Sequence, residues 1–123
     1  MTFIKRVDHI QLAAPVGSEE IARSFFQGIL SMKEEEKPEE LKKNGGVWFS
    51  NEHIHIHVGI EENFVPAKKA HPAFEVLDID AFASHLEDKG LDIQVDEKLP
   101  GAKRFYVSDP FGNRLEFLEW QDK

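Results

Sequence analysis

Histidines and one glutamate recur in this chain where alternating patterns would present them on the polar face of a strand. His9 lies in VDHIQLA, His71 in HPAFEVL and Glu116 in NRLEFLE, and HIHIHVG adds His53, His55 and His57. Imidazole nitrogens and a carboxylate oxygen are donors for divalent first-row ions, and Zn²⁺, Ni²⁺, Fe²⁺, Mn²⁺ and Co²⁺ all suit such a set. His71 follows His9, and Glu116 follows His57, at a similar offset of about 60 positions. Two weakly similar halves, each offering two such residues, would build one metal site from His9, His57, His71 and Glu116. A single strand histidine is more often structural than ligating. The joint placement, with convergent polar groups expected in a cleft, is what points to a metal.

The three histidines of HIHIH share one face, so they cannot all reach one ion. His57 lies deepest in the strand, His55 is placed for a substrate contact, and His53 sits by the turn in solvent. Gln11, Arg104 and Tyr106 fall on the same faces as the candidate ligands. Tyr106 could donate to a substrate oxygen, and Arg104 could hold a substrate carboxylate or phosphate. Glu116 is the strongest candidate. Its neighbours Leu115 and Phe117 face a core, so the carboxylate must face the opposite side. Burial there is costly unless a cation or donors compensate it.

The elements that must position these residues read as strand, helix, three strands, and then the same again. Alternation marks strands at VDHIQLA, HIHIHVGI, RFYVS and RLEFLEW, with MKEEE, GVWFS and IQVDEK as further short ones. Helical spacing of Ile21, Phe25 and Ile29, flanked by Ala22, Phe26 and Leu30 in a wide apolar stripe, predicts a helix over EEIARSFFQGIL, N-capped by Ser18. A second runs from about Asp80 to Lys89, with Ile79, Phe82, Ala83 and Leu86 buried and Gly90 at its C-terminal stop. EEEKPEE reads as a strand end and an exposed loop. DPFGN, residues 109–113, has strong turn chemistry and joins the last two strands. The break between halves falls in ENFVPAKKA, giving one domain over 1–123 with modules 1–66 and 67–123. A half of about 60 residues would be marginal alone, so the two should pack together or exchange with another chain.

Composition narrows the function classes. A formal net charge of −8 disfavours nucleic acid as a partner. No apolar run approaches the length that spans a bilayer, and the N-terminus lacks a signal peptide pattern, so neither a membrane nor secretion is expected. The absence of cysteine excludes disulfides and thiolate-held zinc. These features fit a cytoplasmic protein.

VDHIQLAAP, GGVWF, HIHVGIE, KAHPAFEVLDID and RFYVSDPFGNRLEFLE resemble the vicinal oxygen chelate superfamily, and the resemblance covers nearly the whole chain. DPFGN followed by Leu115, Glu116 and Phe117 is its most specific part. That superfamily includes glyoxalase I, extradiol dioxygenases, fosfomycin-resistance enzymes and bleomycin-resistance proteins. The resemblance implies an α+β fold of two βαβββ modules, forming a curled mixed sheet around a cleft. It also implies a divalent metal held by His9, His71 and Glu116, with His57 at the remaining position. Glyoxalases of the superfamily usually carry Glu there, and this chain departs from them. The implied function is that of a small metal-dependent enzyme whose substrate chelates the ion through vicinal oxygens. Glyoxalase-type lyase or isomerase chemistry leads and dioxygenase chemistry follows, with Glu116 and Tyr106 catalytic. The alternative is a non-catalytic, ligand-sequestering dimer of the bleomycin-resistance type.

Short members of the superfamily are generally homodimers, and curled sheets leave strand edges that association would cover. Sedimentation equilibrium at micromolar concentration should therefore return twice the chain mass. A stable monomer would contradict this expectation.

Overall fold

The computed structural model describes residues 1–121. The chain divides into two compact units, Met1–Val65 and Pro66–Lys123. The first contains β1 (Ile10–Ala14), α1 (Glu19–Ala22), β2 (Lys33–Glu35), α2 (Glu39–Lys42), β3 (Val47–Ser50) and β4 (His55–Ile60). The second contains β5 (Ala73–Glu75), α3 (Ile79–Asp88), β6 (Gln94–Asp96), β7 (Ala102–Ser108) and β8 (Arg114–Trp120). The sheet orders are β1-β4-β3-β2 and β5-β8-β7-β6, and neither sheet closes into a barrel. In each, the first strand runs parallel to the last and the other pairings are antiparallel. The expected α+β repeat of strand, helix and three strands is thus present twice. Among the described residues no helix is long and apolar enough to cross a membrane.

Each sheet buries its apolar face against its own helix. In the first unit Phe49, Ile56, Val58, Phe25 and Phe26 are all buried, and the Phe26 and Phe49 rings stack at 5.3 Å. In the second, Phe117 lies between Phe74 and Phe105 and takes the edge of Phe82 at 4.9 Å.

The first helix differs from its expectation. After one α turn it continues as a π-helix over Arg23–Gln27, with Gly28 N–H reaching the Arg23 carbonyl and Leu30 N–H the Phe25 carbonyl. Phe25 and Phe26 are both buried as expected, whereas Ile21, expected on the same stripe, is 54% exposed. Ser18 does not cap it; its hydroxyl donates to the Pro15 carbonyl at 2.6 Å. Glu19 accepts instead from Gly46 N–H at 3.0 Å, and that bond holds its carboxyl below the usual range. EEEKPEE is not wholly a loop either. Pro38 opens α2, whose Lys42 ammonium pairs with Glu36 and Glu39. The helix α3 matches its expected span, with Asp78 capping Ala81 N–H and Gly90 at φ +84° just past its end; Ile79 and Leu86 are buried, while Phe82 and Ala83 are half-buried.

The DPFGN turn does more than reverse the chain. Asp109 Oδ1 accepts from Phe111 N–H and Asn113 N–H at 2.9 Å each, and Oδ2 accepts from the Asn113 amide at 2.9 Å. Asn113 Oδ1 accepts from Ala67 N–H at 3.0 Å, and Ala67 O from Arg114 N–H. Glu116 N–H bonds the Pro72 carbonyl at 3.1 Å. These bonds lay the segment 67–72, which carries His71, alongside the start of β8. Burial raises the Asp109 pKa, against the pull of the donors around it. Asp109→Ala strips a buried turn of charge-assisted bonds and should cost about 2–4 kcal/mol. Thermal unfolding should drop by several degrees, and an unchanged midpoint would contradict this role for the turn.

Candidate metal and substrate site

The register of each sheet sets the polar face. In the second unit Ala73, Glu116, Tyr106 and Gln94 form one cross-strand row, and Glu75, Leu118, Arg104 and Asp96 the next. In the first, the corresponding row is Gln11, His57, Trp48 and Glu35. His57 therefore takes the position of Glu116, Trp48 that of Tyr106, and His9 that of His71, two residues ahead of Gln11 and Ala73. The repeat inferred from spacing is a repeat of register.

Glu116 is 7% exposed on an interior strand, and each of its oxygens has a nitrogen partner. His71 Nε2 lies 2.9 Å from Oε1, and Arg104 Nη1 donates to Oε2 at 3.1 Å. Arg104 also donates to Asp96 Oδ1 through Nε and Nη2, at 3.3 and 3.2 Å. Burial works against the guanidinium charge, but Glu116 and Asp96 more than offset it and raise the Arg104 pKa. The Lys98 N–H, and then Arg104, hold Asp96 below the usual carboxylate range. Arg104 is thus committed to two carboxylates.

The two candidate histidines ahead of the first strands share an orientation. His71 Nδ1 lies 3.1 and 3.0 Å from the carbonyls of Lys68 and Lys69, which only accept, so Nδ1 carries a hydrogen. His9 Nδ1 is likewise 3.0 Å from Asp8 Oδ2. An imidazole anchored through Nδ1–H presents Nε2 outward, which is the arrangement that fixes metal-ligating histidines. At His71 the outward Nε2 meets a carboxylate oxygen. Two acceptors face each other there unless a proton or another cation lies between them.

His57 is arranged differently. Its ring lies between His9, at 4.0 Å and 16°, and Trp48, at 3.9 Å and 4°. Ring nitrogens coordinate in the plane of the ring at about 2.1 Å. Planes stacked 4.0 Å apart do not direct both lone pairs at one ion. Within either unit, no three His, Cys, Asp or Glu side chains gather as a ligand set among the described residues. His55 and Gln11 are exposed on the same sheet, while His53 stands outside β4 with its N–H on Asn51.

Within the second unit the pair His71 Nε2 and Glu116 Oε1 could hold a divalent ion. Tyr106 stands beside the pair, edge-on to His71 at 5.5 Å. Sequence reasoning did not find Asp8, Asp96 or the stacking role of Trp48. The first is adjacent to His9 and was legible as a neighbour; the other two depend on cross-strand register.

The sequence profile of the Glyoxalase/Bleomycin resistance protein/Dioxygenase superfamily matches residues 6–117. Among curated proteins none matches. A solved structure from Bacillus anthracis, described as of the glyoxalase family, shares 53% identity over 98% of each chain, with a TM-score of 0.94. The fold also resembles a lactoylglutathione lyase from Agrobacterium tumefaciens at 14% identity, with TM-score 0.77 and 96% of each chain covered. A genomically encoded fosfomycin resistance protein from Listeria monocytogenes follows at 16% identity and TM-score 0.74, covering 95% of this chain and 94% of that one.

Burial, and then the charges of His9 and His55, lower the His57 pKa below its ordinary value. The unfolded chain therefore binds this proton more readily, so folding is favoured as pH rises. The contribution is complete above the ordinary histidine value of about 6.5, declines as pH falls below it, and levels off under the folded-state pKa. Melts between pH 8 and 5 should show this loss, and His57→Phe, which keeps a ring in the stack, should shrink it. An identical pH slope in the variant would contradict the assignment.

Proposed function

The chain belongs to the Glyoxalase/Bleomycin resistance protein/Dioxygenase superfamily, and we propose that within it this is a metal-dependent enzyme acting on a small substrate with two vicinal oxygens. The reading is carried by the Nδ1-anchored His71, whose Nε2 faces the buried carboxylate of Glu116 at 2.9 Å. His71 and Glu116 would hold a divalent ion, and His9 is the ligand the first unit would contribute. His57 supports His9 by stacking in place of binding the ion. When bound, the metal supplies Lewis-acid polarisation of the substrate oxygens. Arg104 holds the Glu116 carboxylate in place through its hydrogen bond to Oε2. Tyr106 donates its hydroxyl hydrogen to a substrate oxygen, and Glu116 accepts a proton when its oxygen is free. Lyase or isomerase chemistry of the glyoxalase type is the preferred class, and dioxygenase chemistry is less favoured. The active form is a homodimer in the cytoplasm.

Arg104 favours a second reading. A guanidinium on Glu116 Oε2 compensates the carboxylate without an ion, as a ligand-sequestering protein with no metal would require. Manganese binding to metal-free protein, measured by calorimetry, separates the two. Wild type should take up one ion per chain at high affinity. Glu116→Gln and His71→Ala should each weaken it tenfold or more while far-ultraviolet dichroism stays unchanged. Equal affinity in Glu116→Gln would remove Glu116 from the site and favour the sequestering reading.

A further inference from the structure

A cavity of about 430 Å³ opens in the second unit, bordered by Lys68, Asp92, Gln94, Tyr106, Ser108 and Arg114. Gln94 and Tyr106 share the cross-strand row of Glu116, and Ser108 pairs with Arg114 in the row beside it. The cavity therefore borders the polar face that carries the His71 and Glu116 pair.

Two arginines flank Tyr106 there, with Cζ of Arg104 5.5 Å and of Arg114 5.1 Å from the ring centre. Their charges have different fates. Arg104 is neutralised by Asp96 and Glu116. Among the described residues no carboxylate pairs with Arg114, which is half-buried and bonds Ala67 only through its backbone N–H. The Lys68 ammonium likewise meets no acceptor, its backbone carbonyl alone being engaged by His71. Asp92 is the one acid on this wall, against two cations, in a chain whose formal net charge is −8.

A guanidinium steadied over an aromatic ring with its donors unspent is a good acceptor of an oxyanion. Ser108 and Gln94 add neutral donors. A purely structural Arg114 would serve only to cover Tyr106, a role that uses none of its hydrogen-bonding groups.

We propose that Arg114 and Lys68 form an oxyanion subsite, and that the substrate carries an anionic oxygen group, carboxylate or phosphate-like, beside its two vicinal oxygens. Arg114 and Glu116 are two residues apart on one face of β8, which places their Cα atoms roughly 6.6 Å apart. The anionic group is thus a few bonds from the oxygens that meet the metal. The subsite stands by itself; its assignment to the substrate rests on the metal-dependent reading above.

The test has two arms. In the first, chelator-treated full-length protein is titrated with inorganic phosphate, followed by nuclear magnetic resonance at Arg114 Nε–H and the amides of Gln94, Tyr106 and Ser108. Saturable shifts are expected. Arg114→Gln should weaken binding about tenfold, as loss of a charged hydrogen-bond partner does. Lys68→Gln, on an exposed segment whose loss cannot unfold the sheet, should weaken it severalfold. In the second arm, manganese-loaded protein is offered glycerate and 3-phosphoglycerate, which share hydroxy-acid oxygens and differ in the phosphate. The phosphorylated acid should bind at least tenfold tighter, and Arg114→Gln should erase the advantage. Phosphate that fails to bind, or binds both variants as well as wild type, overturns the subsite. Phosphate binding that needs Arg114, with equal affinity for the two acids, overturns the substrate assignment. Phosphate binding that needs Arg114 in a protein that takes up no manganese supports the subsite and sinks the metal reading alone.

Discussion

A carboxylate buried in the middle of a sheet has to be compensated, and the second unit is organised around that requirement. Glu116 sits on β8, which is paired on both sides, and the residues before and after it belong to the core. Left alone, such a charge would cost several kcal/mol. Its two oxygens are divided between His71 and Arg104, and Asp96 in turn fixes Arg104. The turn at Asp109 and Asn113 brings the segment bearing His71 to the same strand. The result is a carboxylate held by two partners that are themselves fixed, as a site needs if it is to meet a ligand in one geometry.

The first unit meets the same geometric problem with different chemistry. Its strands have the same register, but His57 replaces the carboxylate and Trp48 replaces the tyrosine. No strong charge is buried, so no guanidinium is needed. Instead His9, His57 and Trp48 stack face to face, and burial keeps His57 disposed to the neutral state that such a stack prefers. The units have diverged into an ionic network and an aromatic stack, and only the Nδ1-anchored histidine ahead of the first strand is common to both.

Much of this was legible in the sequence because two kinds of signal agree there. Alternation placed Glu116 opposite Leu115 and Phe117, and the offset of about 60 positions placed His71 and Glu116 as counterparts of His9 and His57. Both are properties of strands, whose side chains alternate with a fixed period. The signals stop at cross-strand and loop contacts. Arg104 reads in sequence as a free cation, and only its cross-strand ion pairs with Asp96 and Glu116 show where its charge is spent. Arg114 lies on the same face as Glu116 by the same alternation, yet nothing in sequence reveals that it lacks a carboxylate. The π-helix escaped because apolar spacing marks Phe25 and Phe26 as core residues but does not choose between backbone bonds that span four and five residues.

Metal content reports on the His71 and Glu116 site directly. Protein expressed without a His tag and purified without immobilised metal should be analysed by inductively coupled plasma mass spectrometry, alongside the same chain carrying His71→Ala. The second chain removes the proposed site while leaving the HIHIH stretch able to retain stray ions. Wild-type protein should carry close to one divalent first-row ion per chain, and the variant should lose most of it. Wild-type protein without such an ion, which takes none up on dialysis against Mn²⁺, Zn²⁺, Ni²⁺, Co²⁺ or anaerobic Fe²⁺, would contradict the proposed site.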